Sequence, residues 1–322
     1  MIVFFILTAA SNSGNKKGFK MTNLTAYFDK MAGILPEFNK IEVTLFEEGF
    51  SNKVYRLDWD RSPRIVLRLP DLDEVAFRID RQSEMAVLLT AANADISPPM
   101  LWHDELGAFA CEFVVQPSLD WAVEHSKSNI ERIAKALAQA HALPEVNHPF
   151  CIYNLIAHYL KSIESYAPIC VEIQEEQSYL QTLLFKLPRV EPSPCRVVCH
   201  NDLNPKNILM DDQTIWLIDW EYSGMGDPLF DLAVLSRSHN LTQDQQVHLI
   251  ASYDDSFDIE VTLNKIAQYS LAYSLREMAW LLLKHVVTPE DTLSLEYYYE
   301  FKATPTLNPF IALDDTAAKE RS

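Results

Sequence analysis

The stretch that decides the fold is "VVCHNDLNPKNILM", residues 197–210, read with "DDQTIWLID", residues 211–219, which follows it. An apolar run ends at Cys199, and the next eight positions hold His200, Asp202, Asn204, Lys206 and Asn207. Side chains that carry charge or protons, set directly after a buried strand, are what a catalytic loop requires. Two apolar runs around Asp211–Gln213 have the pattern of a β-hairpin. Centring the turn on Asp212 sets Asn207 opposite Leu217, with Asp219 two residues further along the second strand. Paired strands lie about 5 Å apart, so an amide oxygen and a carboxylate converge there. That pair suits Mg2+, which takes a few protein oxygens and completes its shell with water and phosphate oxygens. Asp202, five residues before Asn207, is placed to accept the proton of a hydroxyl nucleophile aligned with a metal-bound phosphate.

Outward from this centre, the first third of the chain is strand-rich. "IEVTLFEEGFSNKVYRLDWD" (41–60) reads as strand, turn, strand, and "RIVLRLP" (64–70) as a third strand. "RIDRQSEMAVLLTAANA" (78–94) has helical spacing, and "LWHDELGAFACEFVV" (101–115) reads as a hairpin turning near Glu105–Gly107. A short amphipathic helix is expected over about 21–35. Beyond a connector near 113–118 the pattern is helical. "NIERIAKALAQAHAL" (129–143) has Asn129 as its N-cap candidate, and 152–187, 242–252 and 263–287 follow. The expected fold class is therefore α+β, with two lobes. Residues 21–116 form a small β-rich lobe with one helix, and 117–322 a larger, mainly helical lobe that holds the loop and the acceptor site.

Written as a pattern, the central stretch is H-x-D-x4-N, followed twelve residues later by a strand-ending Asp. It resembles the catalytic and metal-binding loops of the protein-kinase-like phosphotransferases. Asp219 precedes Trp220–Glu221 rather than Phe–Gly, which is similar instead to the choline and ethanolamine kinases and the aminoglycoside phosphotransferases. "GMGDPLFDLAVL" (224–235) extends that resemblance. It implies a protein-kinase-like bilobal fold, ATP as phosphoryl donor, Asp202 as base, and Asn207 and Asp219 as Mg2+ ligands. Asp231 is expected to be a helix-capping, structural residue. In the small lobe, Gly49–Phe50–Ser51–Asn52–Lys53 resembles the shortened G-x-[ST]-N turn of that branch, which makes Ser51 and Asn52 nucleotide-binding candidates. Arg68 stands where a kinase lysine would neutralise the phosphates, and Glu84 is its expected partner. "IDRQSE" (79–84) matches the branch's I-x-R-x-x-E, which includes Arg81.

For the acceptor, Tyr269, Tyr273 and Trp280 lie close to one helical face, where aromatic rings attract a quaternary ammonium. Glu221 is expected to support the metal site or to face a cationic acceptor. The leading reading is transfer of the ATP γ-phosphate to a small cationic alcohol, choline or ethanolamine. Alternatives are a thiamine kinase or an aminoglycoside phosphotransferase on the same scaffold, and, from another class, a catalytically inactive nucleotide-binding scaffold. The intact Asp202, Asn207 and Asp219 argue against the last.

Composition agrees with a folded enzyme: 48% hydrophobic, 22% charged. The balance of 45 acidic to 27 basic residues, −18 net, repels a phosphate backbone and excludes nucleic acid as an expected partner. Five cysteines without a CxxC pair point to reduced thiols and a cytoplasmic location. His103, His125, His148 and His158 are taken as structural. Residues 2–10 are apolar, but no Lys or Arg precedes them and the run is too short for a membrane span. The reading adopted is translation from Met21, with 1–20 an extension.

Overall fold

The computed structural model describes residues 24–46, 51–166 and 170–312; the expected 1–20 extension lies outside them. A short helix α1 (Leu24–Lys30) precedes a five-stranded antiparallel sheet. Its strands are β1 (Glu42–Leu45), β2 (Asn52–Trp59), β3 (Ser62–Pro70), β4 (Met100–His103) and β5 (Phe109–Glu112), in the order β1-β2-β3-β5-β4. The period-2 alternation of strands explains its two faces. Tyr55 and Leu57 of β2 and Ile65, Leu67 and Leu69 of β3 point to one side, where Leu24, Phe28 and Met31 close a small core. Arg68, between two of these leucines, points to the other. There it meets α3 (Arg81–Asn93), which Asp80 caps and a single turn, α2 (Glu74–Phe77), precedes. The expected β4–β5 hairpin is present, and its Gly107 takes φ +82°.

The larger part is built from α4 (Lys127–His141), α5 (Ile152–Tyr166), α6 (Val171–Lys186), α7 (Pro228–Ser238), α8 (Gln243–Tyr253), α9 (Ile259–Val287) and α10 (Thr292–Ala303). Helix α9 lies at its centre, and its Ile266, Ala272, Leu275, Met278, Ala279, Leu282 and Leu283 are all buried. At α4 the cap is Ser126 rather than Asn129: the Ser126 hydroxyl accepts the Asn129 N–H at 3.1 Å, one turn earlier than expected. Among the described residues, no helix is long and apolar enough to cross a membrane.

Four short strands interrupt the helices: β6 (Val197–Cys199), β7 (Ile208–Met210), β8 (Ile215–Leu217) and β9 (Gly224–Gly226). β6 pairs with β9, and β7 with β8. Gly224 is required by close approach, since a Cβ there would lie 2.7 Å from the His148 carbonyl oxygen. The two parts of the molecule meet along this region. Leu217 N donates to Ile96 O at 2.8 Å and Ser97 Oγ to Leu217 O at 2.6 Å, while Met210 N donates to Pro117 O at 2.9 Å.

Candidate active site

The β7–β8 hairpin has a different register from the expected one. Ile208 pairs with Leu217, so Asn207 faces Ile218, whose N–H donates to Asn207 O at 3.0 Å. The cause is Asp211: its Oδ1 accepts the N–H groups of Gln213 (2.9 Å) and Thr214 (2.7 Å), which fixes a four-residue turn over 211–214. A one-residue slip turns side chains to the opposite face. Beyond the hairpin, Asp219 takes a left-handed φ of +64°, and its carboxylate faces Arg68.

The loop ahead of the hairpin is held from beneath by α7. Asp231 accepts His200 N at 2.8 Å, Asn201 N at 2.6 Å and His141 Nε2 at 2.9 Å, and is fully buried. Asp231 is therefore structural, as expected, but it does not cap its helix; Asp227 does that, accepting Leu229 N at 3.0 Å. His200 Nε2 lies 2.9 Å from Ile218 O, which ties the loop to the residue before Asp219. Burial lowers the His200 pKa and keeps the ring neutral. Asn204 caps the single 3₁₀ turn 205–207 through Lys206 N. These contacts bring Asp202 and Asn207 together: the Asn207 amide donates to Asp202 O (2.8 Å) and Asp202 Oδ2 (3.1 Å).

Across the cleft, Arg68 lies 2.5 Å from Glu84 Oε1 and donates to Asp219 Oδ1 at 3.0 Å. The expected Arg68–Glu84 pair is thus present, and Arg81 joins it. Its Nη1 donates to Glu84 Oε2 at 2.8 Å and Glu221 Oε2 at 3.3 Å. Asn52 donates to the same Glu221 oxygen at 3.0 Å. Glu221 is buried within this network and does not line the cavity described below, so it faces Asn52 and Arg81 rather than an acceptor. Gly49 and Phe50 of the expected turn lie outside the described residues, and Ser51 reaches the cavity mouth.

Three carboxylates within the cleft (Glu84, Asp219, Glu221) share two guanidinium groups (Arg68, Arg81), and the exposed Glu74 also lies 3.4 Å from Arg81 Nε. Burial, with the charges of Glu221, Glu84 and Asp202 adding to it and Arg68 opposing, holds the Asp219 carboxyl well above the usual carboxylate range. Among the described residues, neither Asp219 Oδ2 nor Asn207 Oδ1 accepts a hydrogen bond. Two hard oxygen donors beside excess negative charge fit a divalent cation.

Asp202 also opens on a cavity of about 190 Å³, lined among others by Trp121, Tyr222, Tyr273, Glu277 and Trp280. The expected aromatic stripe divides here. Tyr273 and Trp280 reach the cavity, whereas Tyr269 donates to Asp227 Oδ2 at 2.9 Å and packs on Phe230 in the core. Among the cavity residues that went unread in the sequence are Arg276 and Glu277. Arg276 donates to Asp202 Oδ1 at 2.8 Å. Burial, with Asp202 adding and Arg276 opposing, pushes the Glu277 carboxyl up to about 7. An Arg–Glu dipeptide in a helix resembles a solvated ion pair, and only the hydrophobicity on both sides of it signals burial.

An antiparallel sheet beside a larger helical part, with a carboxylate-bearing loop at their junction, is the protein-kinase-like fold. The chain belongs to the phosphotransferase enzyme family (APH), whose sequence signature matches residues 42–267. The chain resembles the structure of Plasmodium vivax ethanolamine kinase over 93% of its own length and 92% of that chain, with a TM-score of 0.72 and 17% identity. Choline kinase LicA from Streptococcus pneumoniae gives 0.66 and 22% identity, over 89% of this chain and 99% of that one. In sequence, Protein LicA of Haemophilus influenzae is 28% identical over 104 residues. That match takes in 32% of this chain and spans 39% of the LicA protein.

Proposed function

We propose that this phosphotransferase moves the γ-phosphoryl group of ATP to the hydroxyl of a small cationic alcohol, of which choline and ethanolamine are the first candidates. The observation that carries the reading is Asp202. It accepts the Asn207 amide at 3.1 Å and lines a small cavity that offers a carboxylate and an indole. In this reading the acceptor oxygen attacks the γ-phosphorus and the bond from that phosphorus to the ADP oxygen breaks. The hydroxyl proton passes to the Asp202 carboxylate. Asn207 and Asp219 would hold Mg2+, which supplies charge neutralisation for the phosphate oxygens. Arg68, fixed by Glu84, faces the same phosphates, with Ser51 and Asn52 at the turn beside them.

The acceptor's size and charge are read from the cavity. About 190 Å³ is below the roughly 300–1,000 Å³ of pockets for drug-sized ligands, which favours a small alcohol over an aminoglycoside. Asp202 and Glu277 share Arg276. Among the described residues, Arg237 at the same cavity meets only hydroxyl and carbonyl oxygens, so the preference for a cation rests on the aromatic wall. Trp280, fixed by its Nε1 bond to Tyr222 Oη at 2.8 Å, offers a ring face to the same group.

ADP release with Mg–ATP and a panel of choline, ethanolamine, thiamine and an aminoglycoside tests this reading. Turnover is expected with the small cationic alcohols, and Asp202→Ala is expected to reduce it by roughly 10²–10⁴-fold while nucleotide binding persists. Turnover with the aminoglycoside alone, or an unimpaired Asp202→Ala variant, would sink it.

A further inference from the structure

Arg276 has no place in the chemistry above, yet it is the most constrained charge in the acceptor wall. It lies on α9, 2% exposed. Its Nη1 donates to Asp202 Oδ1 at 2.8 Å and lies 3.3 Å from Glu277 Oε1. Its guanidinium centre stands 4.4 Å from the Tyr222 ring centroid and 6.0 Å from that of Tyr273. One aromatic face of the cavity is therefore filled by a cation of the protein itself. Burial works against that charge, but Asp202 and Glu277 outweigh it and keep the group protonated. The other arginine at the cavity, Arg237, donates to Ser274 and to the carbonyls of Thr306 and Leu307.

The bond to Asp202 differs from the carboxylate's other contacts. Oδ2 receives the amides of Asn207 at 3.1 Å and Asn204 at 3.4 Å, both from its own loop. Oδ1 receives Arg276 alone among the described residues, and that bond comes from a different element, 74 residues away in sequence. Surface ion pairs contribute little, because two mobile side chains must be ordered. Here the guanidinium is already fixed between a ring and a second carboxylate, so its single Nη1 bond imposes direction on Asp202.

Resting on the phosphotransfer reading above, we propose that Arg276 is a positioning residue of the reaction. It holds Oδ1 against α9 and so fixes the plane of the carboxylate that meets the acceptor hydroxyl. The proton moves from the acceptor oxygen to Asp202 as the oxygen–phosphorus bond forms and the bond to ADP breaks. Arg276 neither gives nor takes a proton and keeps its charge throughout. Because the same guanidinium covers Tyr222 and touches Glu277, the wall that receives the acceptor also sets the carboxylate's orientation.

The test is steady-state ADP release by Arg276→Ala and Arg276→Lys, with the best acceptor and also with water as the only nucleophile, plus thermal unfolding of each variant. Arg276→Ala is expected to lower kcat about 10²-fold, the scale of a misplaced catalytic group, with KM for ATP unchanged. Arg276→Lys, which keeps the charge but not the fork, is expected to fall between. Millimolar guanidinium chloride, well below denaturing levels, is expected to restore about tenfold to the Ala variant and nothing to wild type. A role in folding alone would lower the unfolding midpoint without any response to guanidinium. That result, or kcat within threefold of wild type, overturns the proposal. Absence of wild-type turnover with every acceptor and with water would instead refute the phosphotransfer reading, and this inference with it.

Discussion

At the scale of single residues, Glu277 carries a consequence for acceptor binding. Burial, opposed in part by Arg276, lifts its carboxyl to about 7, so it is largely neutral below that pH and anionic above it. An acceptor cation gains its partner only in the anionic form. The sign follows: kcat/KM for the cationic acceptor is expected to rise as pH passes upward through about 7. In Glu277→Gln that rise is expected to vanish, with the value fixed near the low-pH level of wild type. A variant that keeps the wild-type profile would remove Glu277 from acceptor binding. Whether such residues are legible in sequence depends on what surrounds them. Arg68 and Glu84 could be paired because the kinase resemblance implies a cation on that strand and a carboxylate partner on the next helix. Glu277 follows Arg276 in a helix whose two sides are both buried, and a helical period that finds one apolar face says nothing about a charge on the second. Tyr269 shows the converse, since spacing put it with Tyr273 while its hydroxyl belongs to Asp227 in the core.

At the scale of elements, the loop over residues 200–207 is a hanging structure whose geometry depends on α7. Two backbone N–H groups and His141 converge on the buried Asp231, and Asn201 takes φ +66° so that the chain can turn over that carboxylate. Charge-assisted bonds to backbone are the strong kind, and leaving their donors poorly matched in the interior is expensive. Asp231→Asn places an amide NH₂ where at least one of three donors points. It is expected to cost about 3 kcal/mol in urea unfolding and to lower kcat together with stability. A variant as stable as wild type would show that the loop is held elsewhere. Strand and helix positions were mostly legible, because alternation and helical period are local properties of the chain. Register was not, since it turned on whether Asp211 would draw in two backbone N–H groups or leave a tighter turn. Beyond the second strand Asp219 takes a left-handed φ of +64°, a backbone angle that the alternation of the hairpin does not announce.

At the scale of the whole molecule, the sheet and the helical part are joined by charge as well as by packing. Arg68 reaches Asp219, and Asn52 and Arg81 reach Glu221, so the cleft is lined by contacts that span more than a hundred residues. Three carboxylates share two arginines there, and the Asp219 carboxyl is held well above its usual range. A carboxyl in that position binds its proton more tightly in the folded protein than in the unfolded chain. Its charge therefore opposes folding at neutral pH, and stability is lost as pH rises from the ordinary carboxylate range through the folded value. A divalent cation bound beside Asp219 would offset that cost. Two measurements at pH 7.5 follow. Mg2+ at ten times its dissociation constant is expected to stabilise the wild-type protein by about 1.4 kcal/mol through linkage. Asp219→Asn, which keeps an oxygen for Arg68 but removes the charge, is expected to raise the unfolding midpoint of the metal-free protein by about 2 °C. The same variant is expected to lose both the Mg2+ increment and ADP release. If Asp219→Asn were less stable than wild type without metal, the Arg68–Asp219 contact would outweigh the repulsion, and the cleft would be a clasp between the two parts rather than a site awaiting a cation.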